Sequence, residues 1–600
     1  MAELKIDYLP DSLRAGVSFD GESHGFWNSI CRLMDSETED IEFLGSNEMT
    51  APWWVFLLKK KQIVDYVKYY SISLKIGEEA RQRLHIARGR EQDFEQAQNA
   101  EPMSTEKVKS ALKNAKFTRT LFPYQMENVQ KLISLPSGAT FSVPGAGKTT
   151  EALAFYAMKR KPESKLLIVC PKNAFPVWEE EIENCFQGTN ISSPVRLRGA
   201  EKTELKLLDE PEIMLTTYSQ FQVVKVQHLL ADYLSQHETI MFLDESHHMK
   251  RGLEGVRGRS ILAISHLPVT KLILTGTPMP NRAIDLVAQF NFLYPEIDVD
   301  EDDVIDSIQP VFVRTTKRDL NLPPKHEIPV AIPMSPSQER LYNIIVEEGA
   351  LELENLSAGS QIHIRSLRRC YIKLLRLASN PSLLLEDISN SHPGLLAQLM
   401  EEGDSPKLEY ACKKARELAK EGKKTLIWSS FVSNVEVIAE RLQDLGAVYI
   451  HGGVDAGSED EEDSREWKIK EFKNNPDCMV LVANPAAAGE GISLHKVCLN
   501  AIYIDRTFNA AHYLQSVDRI HRLGLEEDEE PYVEILISEN TIDYNVHNSL
   551  ERKITAMMEA LNDQSIRINP IQFDNDVVIG EEMSIPGDLD EIMGHLEGTC

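Results

Sequence analysis

The chain of 600 residues is 42% hydrophobic and 26% charged, with a formal net charge of −29, which suits about four globular domains with full cores. No run approaches the ~18 apolar residues that cross a bilayer, the opening Met-Ala-Glu-Leu-Lys-Ile-Asp lacks a secretory layout, and the eight cysteines form no Cys-x-x-Cys pair. Membrane, secreted, zinc-ribbon and disulfide-framework classes are therefore set aside in favour of a cytoplasmic protein, and the acidic balance argues against coating nucleic acid by bulk charge while leaving room for a local basic groove.

Residues 1–100 form an accessory module. Pro52-Trp-Trp-Val-Phe-Leu-Leu, followed by Ile63, Val67 and Ile72, is aromatic-rich and locally basic. It reads either as a small core docked on the next domain or as a substrate-recognition surface. Residues 101–117, polar and containing Pro102, are expected to be a linker.

From residue 118 a repeating unit begins in which a short apolar strand ends in a polar residue and a helical pattern follows. The first group of strands is 140–143, 166–170, 213–217, 240–243 and 272–274. The second is 425–428, 448–450, 479–482, 501–504 and 533–537. Continuous apolar strands alternating with helices predict parallel sheets covered on both faces. The fold class is thus α/β: two tandem parallel-sheet lobes, at 118–300 and 396–550, with a helical insertion and interlobe linker over 301–395. Residues 551–600 make an acidic tail, a solvated surface or a docking segment. Ser433-x-x-Glu436 is expected to cap a helix closed by Gly446. Lys172, Thr216, Asp244, Thr275, Ser429, Asn484 and Asp505 all follow strands, the end at which open parallel sheets bind ligands.

Three sequence elements describe a nucleotide site. Ser142-Val-Pro-Gly-Ala-Gly-Lys-Thr149 lies between a strand and a helix over 150–159. Gly145 and Gly147 permit a loop whose N–H groups face phosphate oxygens, with Pro144, Ala146 and Thr150 completing the cradle. Lys148 supplies charge to the β- and γ-phosphates and Thr149 a hydroxyl for Mg²⁺. About a hundred residues on, Ile240-Met-Phe-Leu-Asp-Glu-Ser-His247 delivers Asp244 toward the metal and Glu245 toward the attacking water. Gln515, Arg519 and Arg522 sit in Gln-Ser-Val-Asp-Arg-Ile-His-Arg. On a helix running to Gly524 they fall within about 60° of one another, a face that serves either as arginine fingers for the γ-phosphate or as a partner of acids such as Asp518. ATP and Mg²⁺ are the expected cofactors.

The sequence closely resembles the Swi/Snf-type helicase-like ATPases of helicase superfamily two over about residues 118–550. Phe122-Pro-Tyr-Gln125 resembles their adenine-reading element, Leu167 to Lys172 with Trp178-Glu-Glu a block that touches DNA backbone, and Asp244-Glu-Ser-His their acidic box. Leu274-Thr-Gly-Thr-Pro-Met-Pro-Asn281 with Asn291-Phe-Leu-Tyr-Pro295 is a specific match that separates the chain from DEAD-box RNA helicases. Val313-Arg-Thr-Thr-Lys-Arg-Asp-Leu with Leu322-Pro-Pro-Lys325, and Leu375-Arg-Leu-Ala-Ser-Asn-Pro381, resemble the later blocks. Ala488-Gly-Glu-Gly-Ile-Ser-Leu494, with Gly489 and Gly491 at the nucleotide, and residues 515–524 resemble the last two. Asn380 departs from the histidine of many members. With no bromodomain, chromodomain or zinc-finger pattern, the resemblance points to a compact prokaryotic or viral member; a nuclear location would apply in a eukaryote. Residues 52–58 faintly resemble the recognition domain of annealing helicases.

The resemblance implies that both lobes are RecA-like and that the protein is an ATP hydrolase that moves along or remodels duplex DNA. A strand-separating DNA or RNA helicase, and an ATP-gated subunit that activates a partner such as a nuclease, are the competing classes. Arg365, Arg369, Lys373 and Arg376 share one helix face within about 80°, opposite Leu367, Tyr371, Leu374, Leu375 and Ala378. That face either answers the protein's own acid or tracks phosphates. Lys172, Thr217, Lys250, Arg251, Arg257, Arg259, Ser429 and Asn484 are further candidates for contacts that read DNA backbone rather than bases. A protein partner would attach through the accessory module or the tail.

Overall fold

A computed structural model of the chain describes residues 2–38, 40–98, 101–189, 191–249, 256–354, 361–385, 392–403, 405–454, 463–488 and 492–563. Lys250, Arg251, Gly489, Gly491 and the acidic stretch after Asp574 lie outside the described residues. The chain divides after Thr316 into two compact units.

The first unit opens with a five-stranded sheet in the order β3-β4-β2-β1-β5, made of β1 (Glu3–Leu9), β2 (Arg14–Asp20), β3 (Glu42–Gly45), β4 (Glu48–Pro52) and β5 (Ser73–Ile76). Leu4, Ile6 and Tyr8 of β1 are buried, the period of two of a strand with one covered face. Three helices accompany it: α1 (His24–Asp35), α2 (Trp53–Tyr69) and α3 (Glu78–Ala97). Trp53 through Lys59 of α2 are all buried, so the aromatic run is core. The module packs on the lobe that follows. The Phe94 ring meets Phe290 and Tyr294 edge-on, the Tyr8 hydroxyl and His266 Nε2 are 3.0 Å apart, and Lys59 pairs with Asp298 at 2.9 Å.

The expected linker is instead largely structured. Helix α4 (Thr105–Asn114) buries Val108 and Leu112, one turn apart on the same face, and Met103 and Gln130 exchange hydrogen bonds of 3.1 and 2.7 Å. Two apolar positions in a polar stretch are enough to dock it.

Lobe one is a seven-stranded, wholly parallel sheet in the order β12-β6-β11-β10-β7-β9-β8. Its strands are β6 (Gly138–Thr140), β7 (Lys165–Val169), β8 (Val195–Arg196), β9 (Ile213–Thr216), β10 (Thr239–Asp244), β11 (Thr270–Leu274) and β12 (Phe312–Val313). The five expected strands are present, the first displaced toward the N-terminus. Strands β8 and β12 have two residues each, too short for any periodic signal. Around the sheet lie α5 (Pro123–Ile133), α6 (Lys148–Lys159) and α7 (Phe175–Cys185).

The second unit carries a six-stranded parallel sheet in the order β13-β18-β17-β14-β16-β15. The strands are β13 (His326–Ile332), β14 (Thr425–Trp428), β15 (Val448–Ile450), β16 (Val480–Ala483), β17 (Asn500–Tyr503) and β18 (Tyr532–Ser538). Ile427, Val480, Val482, Ile502 and Leu536 meet Leu408, Ala411, Val435 and Ile438 in one core. Strand β13 lies inside the stretch expected to be helical insertion. Its Pro329 and exposed outer face fit an edge strand and conceal it from an apolar-run search. The rest of the stretch is mainly helical, with Pro336–Glu354 packed on Gln361–Ser379.

Two helix ends differ from expectation. The helix Val432–Arg441 starts at Phe431 without a side-chain cap, so Ser433 lies inside the first turn and makes no capping box, although Gly446 does adopt the left-handed conformation, φ 61°. The helix Ala510–Val517 stops well short of Gly524. Asp518 bonds Lys317 and the Arg519 carbonyl accepts from Leu494 N–H at 2.9 Å, which turns the chain away from the helix axis. Arg519 and Arg522 therefore lie on a turn, not on a helical face shared with Gln515. Among the described residues no helix is long and apolar enough to cross a membrane.

Candidate active site

In lobe one the loop between β6 and α6 turns through Gly145, φ 88°, and Gly147, φ 80°, the left-handed region that glycine enters without a Cβ penalty. A Cβ on Gly147 would also lie 2.3 Å from Gln125 Nε2, so backbone and neighbour both require glycine. The Gln125 amide donates to the Ala146 carbonyl at 3.1 Å and the Gly147 carbonyl at 3.4 Å, while its Oε1 accepts from Phe122 N–H at 2.9 Å. Gln125, expected to read the base, is buried and braces the loop. Phe122 is 55% exposed and stacks on Tyr124 at 5.7 Å. Pro144 packs against Gly276, where a Cβ would come within 2.8 Å of its Cδ. Lys148 Nζ donates to the Ser142 carbonyl at 2.9 Å and the Val143 carbonyl at 3.5 Å, folded onto its own loop. Thr149 and Thr150 begin α6, and the Thr150 hydroxyl donates to Glu181 at 2.6 Å.

Asp244 ends β10 and Glu245 follows with a φ of 50°, a backbone conformation that non-glycine residues adopt rarely and at some cost. Burial, then the Glu245 charge, pushes the Asp244 carboxyl up; the Trp178 hydrogen bond and Lys148 oppose it. Burial would raise Glu245 too, but His247, Lys148 and His248 hold it low. The P-loop ammonium therefore acts on both carboxylates, and the two motifs share one site.

A web of hydrogen bonds fixes this acidic pair. The fully buried Trp178 donates its indole N–H to Asp244 Oδ2 at 2.8 Å, and the Tyr218 hydroxyl donates to the Asp244 carbonyl at 2.9 Å. The Thr275 hydroxyl contacts Glu245 Oε2 at 3.4 Å and His247 Nδ1 at 2.9 Å, and accepts from Thr277 N–H at 3.1 Å. Ser246 donates to Gln289 at 2.7 Å, which holds the Pro278 carbonyl at 2.7 Å. Residues 274–281 are thus wired to the acidic pair. Sequence reasoning placed Trp178 in a block that touches DNA backbone, Thr275 at the ligand-binding end of the sheet and His247 in the acidic box, without these contacts; burial and direction of a side chain are not written in its spacing.

Mg²⁺ suits this donor set. Two crowded carboxylates, one forced toward its protonated form by burial and then by the charge of the other, gain from a divalent charge. Thr149 and Asp244 would hold the ion, which would neutralise phosphate oxygens when bound. Because Trp178 orients Asp244, Trp178→Phe, which keeps the ring contact with Phe242, should raise the Mg²⁺ concentration for half-maximal turnover about 10–100-fold. The melting temperature without nucleotide should barely move. An unchanged Mg²⁺ titration contradicts the assignment.

Glu151 on α6 was also missed. It is fully buried and accepts from Asn128 at 2.8 Å and Thr140 at 3.0 Å. Burial raises its pKa from 4.5 to about 7, against those hydrogen bonds and Lys148. A raised folded-state pKa stabilises fully below pH 4.5, and that contribution is lost as pH climbs through 7, on the order of 3 kcal/mol in all. Glu151→Gln, which does not titrate, should melt above wild type at pH 8 with a gap that closes toward pH 5. A pH-independent gap would show that Glu151 is not the titrating group.

In the second unit Gln515 and Arg519 are buried. Arg519 Nε donates to the Gln515 carbonyl at 2.8 Å and Nη1 to the Ile492 carbonyl at 2.7 Å. Arg522 is half-buried; burial lowers its pKa, with Asp518 opposing. Asp505 collects the Ser379 and Ser429 hydroxyls, each at 2.7 Å, and Ser430 N–H at 2.6 Å. Ser429, expected at DNA backbone, is buried and committed to this carboxylate. Asn380 caps the turn at Pro381–Leu384 by accepting from Ser382 N–H and donates to Asn434 at 2.8 Å, an internal use for the amide found in place of histidine.

The remaining backbone candidates are scattered. Lys172 and Arg257 are exposed and Arg259 is half-buried. Thr217 bonds Ser219 at 2.9 Å, and Asn484 donates to the Ser430 carbonyl at 2.8 Å and accepts from Ala486 N–H at 2.9 Å. On the helix Gln361–Ser379 the expected apolar face, Leu367, Tyr371, Leu374, Leu375 and Ala378, is buried. Arg365 and Arg369 are exposed, Arg369 3.7 Å from Glu352, while Lys373 and Arg376 are half-buried.

A P-loop and acidic pair on one parallel sheet, followed by a second parallel-sheet unit, define a helicase-like ATP hydrolase. Residues 124–303 match the SNF2-related domain and residues 406–524 the helicase conserved C-terminal domain. Over these residues the chain is similar to the Swi/Snf-type helicase-like ATPases. It is 25% identical over 468 residues to the ISWI chromatin-remodeling complex ATPase ISW1 of Saccharomyces cerevisiae, covering 72% of this chain and 40% of that protein. It is 24% identical to the SWI/SNF-related matrix-associated actin-dependent regulator of chromatin subfamily A member 1 of Mus musculus, covering 72% and 42%. The Sulfolobus solfataricus SWI2/SNF2 ATPase core in complex with dsDNA matches at 21% identity, covering 75% of this chain and 94% of that one, with a TM-score of 0.32. The chain spans about two fifths of the length of these curated relatives.

Proposed function

We propose that the protein is a DNA-dependent ATPase that moves along duplex DNA or remodels protein–DNA complexes. The carrying observation is the P-loop amine acting on both carboxylates of the acidic pair, in a chain whose other unit contains a helicase C-terminal domain with Arg519 and Arg522. Lys148 binds the terminal phosphates, Glu245 orients and deprotonates water, and Arg522 answers charge on the γ-phosphate once the units close. Closure and opening alternate the grip of the two units on one strand. Lys172, Arg257, Arg365, Arg369 and Lys373 hold phosphates, without reading bases. The similarity to chromatin-remodelling ATPases over 72% of the chain supports DNA as the track. A location wherever DNA is kept follows, and a protein partner would attach through the N-terminal module or the acidic tail.

The test is ATP turnover against duplex, single-stranded and forked DNA and RNA, with strand release from a tailed duplex followed in parallel. Duplex DNA should stimulate most and no strand should be released. Preferential stimulation by RNA, or strand release, would defeat the proposal.

A further inference from the structure

Strand β5 is an edge of the N-terminal sheet, paired only with β1, in parallel from Glu3↔Ser73 to Ile6↔Ile76. Along this edge runs a groove of about 820 Å³ between α2 and α3. Its floor is apolar: Ile6, Phe56 and Ile63 are buried, and Val64, Leu74, Ile76 and Leu84 are half-buried. Its rim has four cations, Lys60, Lys61, Lys68 and Arg88, against Asp65 and Glu91. Lys60 is taken by Glu91 at 3.0 Å and by the Leu57 carbonyl; Lys61, 3.5 Å from the same Glu91, Lys68, 3.8 Å from Asp65, and Arg88 are exposed. On a chain with a net charge of −29, a local excess of cations around an apolar floor is out of character with the rest of the surface.

We infer that this groove receives an extended segment of a partner protein whose groove-facing side chains, every second residue, include both apolar and acidic ones. Exposed backbone N–H and C=O groups of an edge strand accept a further strand. Successive side chains of such a strand point to opposite faces. Those on the inner face enter the groove beside Leu74 and Ile76, the apolar ones meeting its floor and the acidic ones Lys61, Lys68 and Arg88 on its rim. Nucleic acid fits less well: phosphates gain nothing from an aliphatic floor, and Phe56, the one aromatic of the lining, is 2% exposed and offers no face for base stacking.

The inference rests on the reading that a partner attaches through the N-terminal module, and is independent of the motor assignment. Random twelve-residue peptides displayed on phage would be selected on the full chain and on Lys61→Glu/Arg88→Glu, whose exposed positions spare the fold. Peptides with apolar and acidic residues at every second position should emerge, bind the double variant about tenfold more weakly because like charges oppose, and slow amide exchange in β5. DNA-stimulated ATP turnover should be equal in both proteins, so absent turnover would count against the motor alone. Peptides without that pattern, equal binding to both proteins, or a double variant that loses affinity for a 30-base-pair duplex instead would overturn the inference.

Discussion

Lys148→Ala is expected to lower duplex-stimulated ATP turnover about 10²–10³-fold, the usual cost of removing one preorganised charge from developing phosphate charge. Its resting partners include two carbonyls of its own loop, contacts whose loss costs the variant little structure. Its melting temperature should stay within a few degrees of wild type. Two further effects should accompany the loss. Binding of a fluorescent ATP analogue should weaken, and the Asp244 and Glu245 carboxylates should both titrate higher, because the ammonium that favours their ionised forms is gone. Turnover within threefold of wild type would show that the phosphates are held elsewhere.

Arg522→Ala is expected to behave differently. An arginine that meets the γ-phosphate only in the closed state contributes to the transition state and little to ground-state binding, so kcat should fall about 10³-fold with nucleotide affinity nearly intact. The two arginines are not equivalent. Arg519 is buried and spends Nε and Nη1 on the Gln515 and Ile492 carbonyls, so Arg519→Ala should also lower the melting temperature. Arg522 is half-buried, and burial destabilises its charge, the condition in which an incoming anion is most favourable. Arg522→Lys should rescue poorly, since an ammonium lacks the planar fork of donors. A variant whose kcat matches wild type would remove Arg522 from the chemistry.

What the sequence discloses about this molecule follows physical lines. Buried parallel strands are written as apolar runs, so β7, β9, β10, β11, β14 and β16 were found within a residue or two of their bounds. Edge strand β13 carries Pro329 and an exposed face and stayed hidden. The P-loop was legible because backbone geometry demands glycine at 145 and 147. Direction was not. Trp178 turns inward to Asp244, Gln125 to the loop and Ser429 to Asp505, and each choice depends on partners 21 to 76 residues away. The helix bearing Gln515 ends at Val517 because Lys317, about two hundred residues earlier, claims Asp518, a contact that no local pattern announces.

The central claim is that one triphosphate is held by Lys148 and answered by Arg522. ATP carrying a photoreactive group on its γ-phosphate, irradiated on the protein with saturating duplex DNA, tests it most directly through mapping of the labelled peptides. The account predicts label both around residues 142–149 and within residues 515–524, the second lost when DNA is omitted. Label confined to the first unit under every condition would contradict it.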